Sequence, residues 1–538
     1  MRTLRGVFGL FGLAAFFGPM CYGASITGTV KGPDGSAFQG AFVEAQNSKT
    51  RITTIVLSDS QGRYRVPDLV AGDYRVQIRA VGFHADPKVG ITLTADQTAS
   101  TDFSLEKAIV RWNEISQYQA AQLWPPAKGK DLIFGHCNIC HQFQTRMASV
   151  RRDLDGWKDR VAYMREAMGF SIFLGPHFSD QDAEEVATYL TSLFGPDSVL
   201  PKSAADMPGY AKTVRPFSSE AMNIVYVEYE MPGPSRMPFS AAPDKNGFLW
   251  IPDFGVANKI TRLDPKTGEM KDFSIPNVGT GGVHSAVPAA DGSVWLAEQG
   301  PNKIGRWDPA TQRITEFQDA YLPGKEGTED GGSKHTIRMD PSGKVWASGV
   351  PLTRFDPETG KFARFVEGEY AYDVKPDKNG DAWFTSPFAG KIGKVDGKTS
   401  QVSRWATPTP DSHPRRMEIG PDGMIYTGEY QAGKIARFDP KTQTFKEFPL
   451  PGPDPTPYAL GFDANGYLWY DSHNMGEIGR FDSRTGNVIE YPFPHTELAM
   501  REFFRDAQGR MWYGSAPNNK VGYFYLAGKS GAAGSGGK

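Results

Sequence analysis

The sequence predicts a multidomain, mainly β architecture: a β-sandwich, a small all-α unit and a seven-bladed β-propeller. Three observations predict it. Residues 25–106 alternate apolar and polar positions in short runs bounded by Gly and Asp turns. Within 107–200, "FSDQDAEEVATYLTSLFG" carries an apolar stripe at helical spacing. Between 201 and 526 one pattern recurs seven times. A chain of 538 residues needs several such units, since a single core stops growing at about 250–300 residues. The formal charge of −2, from 59 Lys+Arg against 61 Asp+Glu, leaves no electrostatic footprint for nucleic acid or an anionic membrane.

The first stretch, "MRTLRGVFGLFGLAAFFGPMCYGA", has Arg2 and Arg5, an apolar run from Val7 to Phe17 and small residues at Gly23 and Ala24. This is the pattern of a secretory signal peptide over 1–24. The run is shorter than the roughly 20 residues that cross a bilayer, and Cys21 lacks the small-residue context of a lipoprotein site. The expectation is an exported chain, periplasmic or extracellular, with no transmembrane anchor after cleavage.

Residues 25–106 read as short strands: "ITGTV", "PDGSAFQGAFVEAQ" and "DSQGRYRVPDLVAGDYRVQIRAVGF". Tyr74, Val76, Ile78 and Ala80 alternate so as to face one core. With Gly28, "SDSQGRY" at 58–64 and "AGDYRVQIRAVGF" at 71–83, the segment resembles carboxypeptidase regulatory-like domains. No nucleophile, metal cluster or paired carboxylates stand out, so a spacer or docking role is expected.

"FGHCNICHQFQ", residues 134–144, holds two of the chain's 3 cysteines. On a helix Cys137, Cys140 and His141 would share one face. Two thiols followed directly by a histidine suit covalent haem c, the thiols joining the vinyl groups and His141 taking the iron. A zinc site would want a second ligand pair at similar spacing, and a thioredoxin-like pair a βαβ context. "GKDLIFGHCNICH" and "FSDQDAEEVATYLTSLFG", with Ser179 as N-cap and Val186, Tyr189, Leu190 and Leu193 as the stripe, resemble the first and last helices of class I cytochromes c. "GWKDRVAYMREAMGF" is similar to the haem domains of quinohaemoprotein amine dehydrogenases. The resemblance implies one covalent haem c over 107–200. For the sixth ligand Met164 is favoured, Met168 is the alternative and His177 comes third; both methionines as core residues is the competing reading.

After a Pro/Gly/Ser-containing linker near 196–216, each repeat has a "DG" or "NG" turn, an aliphatic residue, an aromatic, then "KIGR"- and "DP"-like turns. The aromatics are Trp250, Trp295, Trp346, Trp383, Tyr426, Trp469 and Trp512, spaced 45, 51, 37, 43, 43 and 43 apart. Seven units mean seven blades. The last unit lacks an outer strand, and "MNIVYVEYEMP" at 222–232 matches it and should close the ring. The tail "AGKSGAAGSGGK" within 527–538 reads as flexible low-complexity sequence.

Counting eight residues back from each turn glycine gives the positions where the first strands emerge at the central funnel: Phe239, His284, His335, Tyr372, Arg415, Tyr458 and Arg501. Three residues after each aromatic come Asp253, Glu298, Gly349, Ser386, Glu429, Ser472 and Ser515. The repeats resemble the propeller of streptogramin B (virginiamycin B) lyases over about 222–526. The resemblance implies Mg²⁺-assisted ring opening of a cyclic ester by histidines on two late blades, with a Glu two residues before one of them. Here those positions hold Tyr458, Arg501 and Ala499, and neither Tyr nor Arg replaces a neutral imidazole base at pH 7. His284 and His335 lie on adjacent blades, with Glu298, Glu329 and Asp330 as companions for a relocated base and metal site. Tyr372, Arg415, Tyr458 and Arg501 suit an anionic or phenolic funnel ligand.

Three functions follow as expectations. The first is an exported electron-transfer protein, in which haem c exchanges electrons and the propeller binds a small-molecule substrate or redox partner protein. The second is a lyase acting on a cyclic ester with Mg²⁺. The third is a surface or partner binding module with the haem as relay.

Overall fold

The computed structural model describes residues 23–138, 141–167, 178–276, 282–319, 332–366 and 368–527. The expected signal peptide up to residue 22 and the tail from 528 lie outside the described residues. Among those described, no helix is long and apolar enough to cross a membrane.

The repeat is explained by one local device. In "DKNGFLW", the Asp244 carboxylate accepts the N–H groups of Asn246 at 2.8 Å and Phe248 at 3.1 Å, and also the Trp250 indole N–H at 3.0 Å. The same acid-to-indole bond joins Asp340 to Trp346 (2.9 Å), Asp463 to Trp469 (2.9 Å) and Asp506 to Trp512 (2.7 Å). Each turn thereby pins its aromatic between blades, where all seven anchoring aromatics are buried.

Six four-stranded antiparallel sheets follow in chain order, from Ala242–Pro243 in the first blade to Val488–Pro492 in the sixth. The seventh blade takes Phe504–Arg505, Met511–Ser515 and Lys520–Leu526 from the C-terminal end, and Ile224–Glu230 from before the first blade. Ile224 pairs with Leu526 and Glu230 with Lys520. The ring therefore closes as the missing strand predicts, and closure joins two distant parts of the chain.

The outer edge of that closing strand is covered. Thr53–Leu57 of the N-terminal β-sandwich pairs with it, Tyr226 opposite Ile55, so the seventh blade runs on into the sandwich as one eight-stranded sheet. Tyr74 and Val76 are buried in the sandwich core, with Ile78 and Ala80 packed against it. At the seam Glu228 accepts from His495 at 2.8 Å, Tyr513 at 3.1 Å and Lys520 at 2.8 Å, while Arg79 of the sandwich reaches His495 at 3.1 Å and pairs with Glu44.

A helical unit lies between sandwich and propeller in sequence, with helices Gln117–Leu123, Lys128–Leu132, Leu154–Ala167 and Asp180–Phe194. Ser179 caps the last, accepting from the Asp182 N–H at 3.1 Å, and Val186, Tyr189, Leu190 and Leu193 are buried as the stripe requires. Gly129 lets two helices cross closely, since a Cβ there would stand 2.8 Å from the Glu185 carbonyl oxygen. The unit extends past the expected boundary at 200. Ala204 is in its core and Thr213 accepts from Gln119 at 3.2 Å, so much of the expected linker is packed rather than free.

Candidate functional site

The seven positions read from the turn count meet on the propeller axis. Taken in blade order, Phe239 and His284 have ring centroids 4.9 Å apart, His284 and His335 3.7 Å, and His335 and Tyr372 4.2 Å. The Arg415 guanidinium lies 5.9 Å from the Tyr372 ring and 5.0 Å from that of Tyr458, and Arg501 lies 4.7 Å from Tyr458 and 5.0 Å from Phe239. Neighbour touches neighbour around the whole ring. The sequence suggested an open polar funnel at this level, whereas all seven side chains are buried at 3% exposure or less.

Irregular strands aim them there. The pairing register shifts at His284, His335, Arg415 and Tyr458, in the first strands of the second, third, fifth and sixth blades. Such a bulge turns consecutive side chains inward, which builds a second layer from the following residues. Arg416 donates to Thr336 at 2.6 Å and lies 3.4 Å from Asp373 and 3.6 Å from Glu502, which also pairs with Arg338. A count one residue shorter from each glycine finds this layer.

Burial holds both axial histidines well below the ordinary imidazole range; His335 adds to the effect on His284, and Arg416 adds to it on both. His335 Nδ1–H donates to the Tyr372 carbonyl at 2.7 Å, which leaves Nε2 as its proton acceptor. Glu298 is not brought to them. Its side chain lies over Gly305, beside Glu316 and Lys303, and burial and then the Glu316 charge raise its pKa to about 8. Glu329 and Asp330 lie outside the described residues. Among the described residues, the charges that act on the pair are those of Arg416, Arg501 and, for His335, Arg415. This donor set does not fit Mg²⁺, which takes oxygen ligands and is repelled by guanidinium.

The helical unit holds a second site, a cavity of about 300 Å³ lined by Cys137, His141, Met164, Trp157, Phe178 and Leu190, among others. Cys137 ends a π-turn over Ile133–Cys137, and His141, in a bend, lines the same cavity. Cys140, Met168 and His177 lie outside the described residues. His141 Nδ1–H donates to the Gln142 carbonyl at 2.8 Å, leaving Nε2 with its lone pair. Burial, reinforced by Arg146, lowers its pKa to about 4, so the ring is neutral. Trp157 Nε1 and Arg152 Nη1, buried and without hydrogen-bond partners among the described residues, belong to residues that line the same cavity. A thiol, a neutral imidazole, a thioether, apolar walls and spare donors for carboxylates fit a haem c.

The virginiamycin B lyase family model matches residues 328–531. The carboxypeptidase regulatory-like domain model matches residues 25–106. Among solved structures, selenomethionine-substituted virginiamycin B lyase from Staphylococcus aureus is similar at 22% identity with a TM-score of 0.51, over 56% of this chain and 99% of that one. A streptogramin B lyase matches at 22% identity and a TM-score of 0.51, over 57% of this chain and 100% of that one. A catalytically inactive variant of the S. aureus enzyme with quinupristin matches at 23% identity and 0.51, over 56% and 99%. No curated protein matches the chain. The chain carries a carboxypeptidase regulatory-like domain and a virginiamycin B lyase-like propeller.

The lyase-like propeller and the helical unit meet at a set of residues that sequence reasoning passed over. Gln142 donates to the His473 carbonyl, the Leu498 N–H donates to Gln142 Oε1 at 2.9 Å, and the Thr145 N–H donates to Glu497 at 2.8 Å. His473 is fully buried, its ring 5.9 Å from Tyr458 and 6.1 Å from Tyr430, and its Nδ1 3.7 Å from Asp471. A single glutamine after the cysteine–histidine motif carries no signal of its own, and His473 falls one position past the strand-end residues counted above.

Proposed function

We propose that the chain is an exported, one-haem c-type electron-transfer protein whose lyase-like propeller is the binding module for a small-molecule substrate or redox partner. The carrying observation is that Cys137, His141 and Met164 line one cavity, with Cys140 adjacent to His141 in sequence. Cys137 and Cys140 would hold the haem covalently, and His141 Nε2 and Met164 would be the iron's protein ligands. A bound haem c supplies one-electron exchange at its iron. The chain's part is to keep His141 neutral and oriented, exclude water with Trp157, Phe178 and Leu190, and offer Trp157 and Arg152 to the carboxylates. The comparisons support the propeller as a lyase-like or binding module; the haem reading rests on the motif and the cavity. On the axis, Tyr372, Arg415, Tyr458 and Arg501 offer cations and aromatic faces to an anionic or phenolic ligand. A pyridine haemochrome assay on protein made with cytochrome c maturation machinery tests the reading: one covalent haem per chain supports it, and none overturns it.

A second reading has its own observation. His284 and His335 form a neutral pair on adjacent blades of a lyase-like propeller, which suits proton abstraction next to a cyclic ester. Ring opening of such an ester, lost in both H284A and H335A, would favour it.

A further inference from the structure

Resting on the haem reading, we infer that Gln142 is a positioning residue through which the propeller holds the haem ligand His141, coupling the axial site to the iron. Gln142 is fully buried and directs its polar groups at three partners. Its carbonyl accepts the His141 Nδ1–H at 2.8 Å, which fixes the tautomer and the rotation of the ring. Its side chain is held by propeller backbone at both ends: Nε2–H donates to the His473 carbonyl, and Oε1 accepts the Leu498 N–H at 2.9 Å. Blades six and seven thereby anchor the residue whose carbonyl sets the imidazole, while Gln144 Oε1 holds the far end of the same peptide unit by accepting the Phe143 N–H at 3.1 Å. Other bonds across the same interface do not touch His141. The Tyr118 N–H donates to Asn474 at 2.8 Å, and Gln144 Nε2–H donates to Thr496 at 3.3 Å.

On the propeller side the connection continues inward. The His473 ring approaches Tyr458 and Tyr430, and the Arg415 guanidinium stands 3.7 Å over the Tyr430 ring. A short path thus runs from the axial ring, through ring contacts to His473 and then hydrogen bonds of its backbone to Gln142, to the imidazole. Hydrogen bonds to a ligating imidazole raise its basicity and tune the metal, so the reduction potential should read the state of Gln142.

The test uses full-length, haem-loaded protein and spectroelectrochemical titration of the wild type, Q142A, Q142E and Q117A. Q142A is expected to move the reduction equilibrium at least tenfold, about 59 mV for one electron, at unchanged haem content. Q117A loses an interface bond of the same kind, from Gln117 Nε2–H to Asn474 Oδ1 at 2.8 Å, without a tie to His141 and is expected to stay close to wild type. Q142E keeps the acceptor for Leu498 and should fall between, and it carries the comparison if Q142A does not fold. Equal shifts in Q142A and Q117A, or none in either glutamine-142 variant, would overturn the inference while leaving the haem in place. Wild-type protein without covalent haem would overturn the haem reading itself, and the inference with it.

Discussion

The imidazole rings of His284 and His335 lie with centroids 3.7 Å apart and planes inclined at 33°, and no charge separates them. Two cationic rings could not share that space, and Arg416 and Arg501 nearby make protonation harder still. Both rings are therefore expected to stay neutral across the range around pH 6.5 in which an ordinary histidine titrates. Nitrogen-15 spectra of histidine-labelled protein would show it as two ring systems whose shifts do not move in that range. A titration near 6.5 assigned to either residue would contradict this picture.

Met164 faces the same cavity as Cys137 and His141. Replacing it by alanine removes the thioether that raises a haem's potential over a bis-histidine or five-coordinate iron. M164A is expected to keep its covalent haem, lose the sulfur-to-iron absorption band of the oxidised form and fall in potential. A band that persists in M164A would pass the ligand role to Met168 or to a residue not considered.

Glu228 is a buried carboxylate at the seam of sandwich and propeller. Burial alone would raise its pKa, but His495 and Lys520 outweigh that and hold it below the ordinary value of 4.5. A depressed folded-state pKa contributes stability that is complete above the unfolded value and fades as pH falls through the folded one. E228Q should cost about 1–3 kcal/mol near neutral pH, because the carboxamide cannot accept from His495, Tyr513 and Lys520 together and leaves Lys520 without its counter-charge. The gap to wild type should narrow below about pH 4. Urea unfolding at several pH values checks both the size and the slope, and a gap that widened in acid would refute the assignment.

Ile224–Glu230 has a strand on each side: Lys520–Leu526 of the seventh blade and Thr53–Leu57 of the sandwich. Deleting residues 23–106 uncovers its outer edge, a ready template for pairing with another chain. The truncated protein should therefore self-associate where the full chain does not. Light scattering at matched concentrations measures this, and a monodisperse truncated chain would show the sandwich to be dispensable as an edge cover.

Much of this architecture was legible in the sequence because its signals are local. The Asp-to-aromatic turn repeats at a fixed offset, so seven blades, the closing strand and even the axial ring could be counted from the turn glycines. Ser179 and the stripe Val186, Tyr189, Leu190 and Leu193 are likewise local statements about one helix. Cys137, Cys140 and His141 name a chemistry by adjacency alone. Tertiary structure decided the rest, where the controlling contacts are far apart in the chain. Glu298 sits near the histidines by strand position, yet Gly305 leaves room for its side chain on the outer side of the blade, and Glu316 and Lys303 meet it there. The bulges at His284, His335, Arg415 and Tyr458 depend on pairing register, and where a polar funnel was expected all seven axial side chains are buried. The bond from Gln142 to His473 spans more than three hundred residues. Local spacing fixes which side chains a turn or helix presents; only the packing of distant backbone decides what each of them meets.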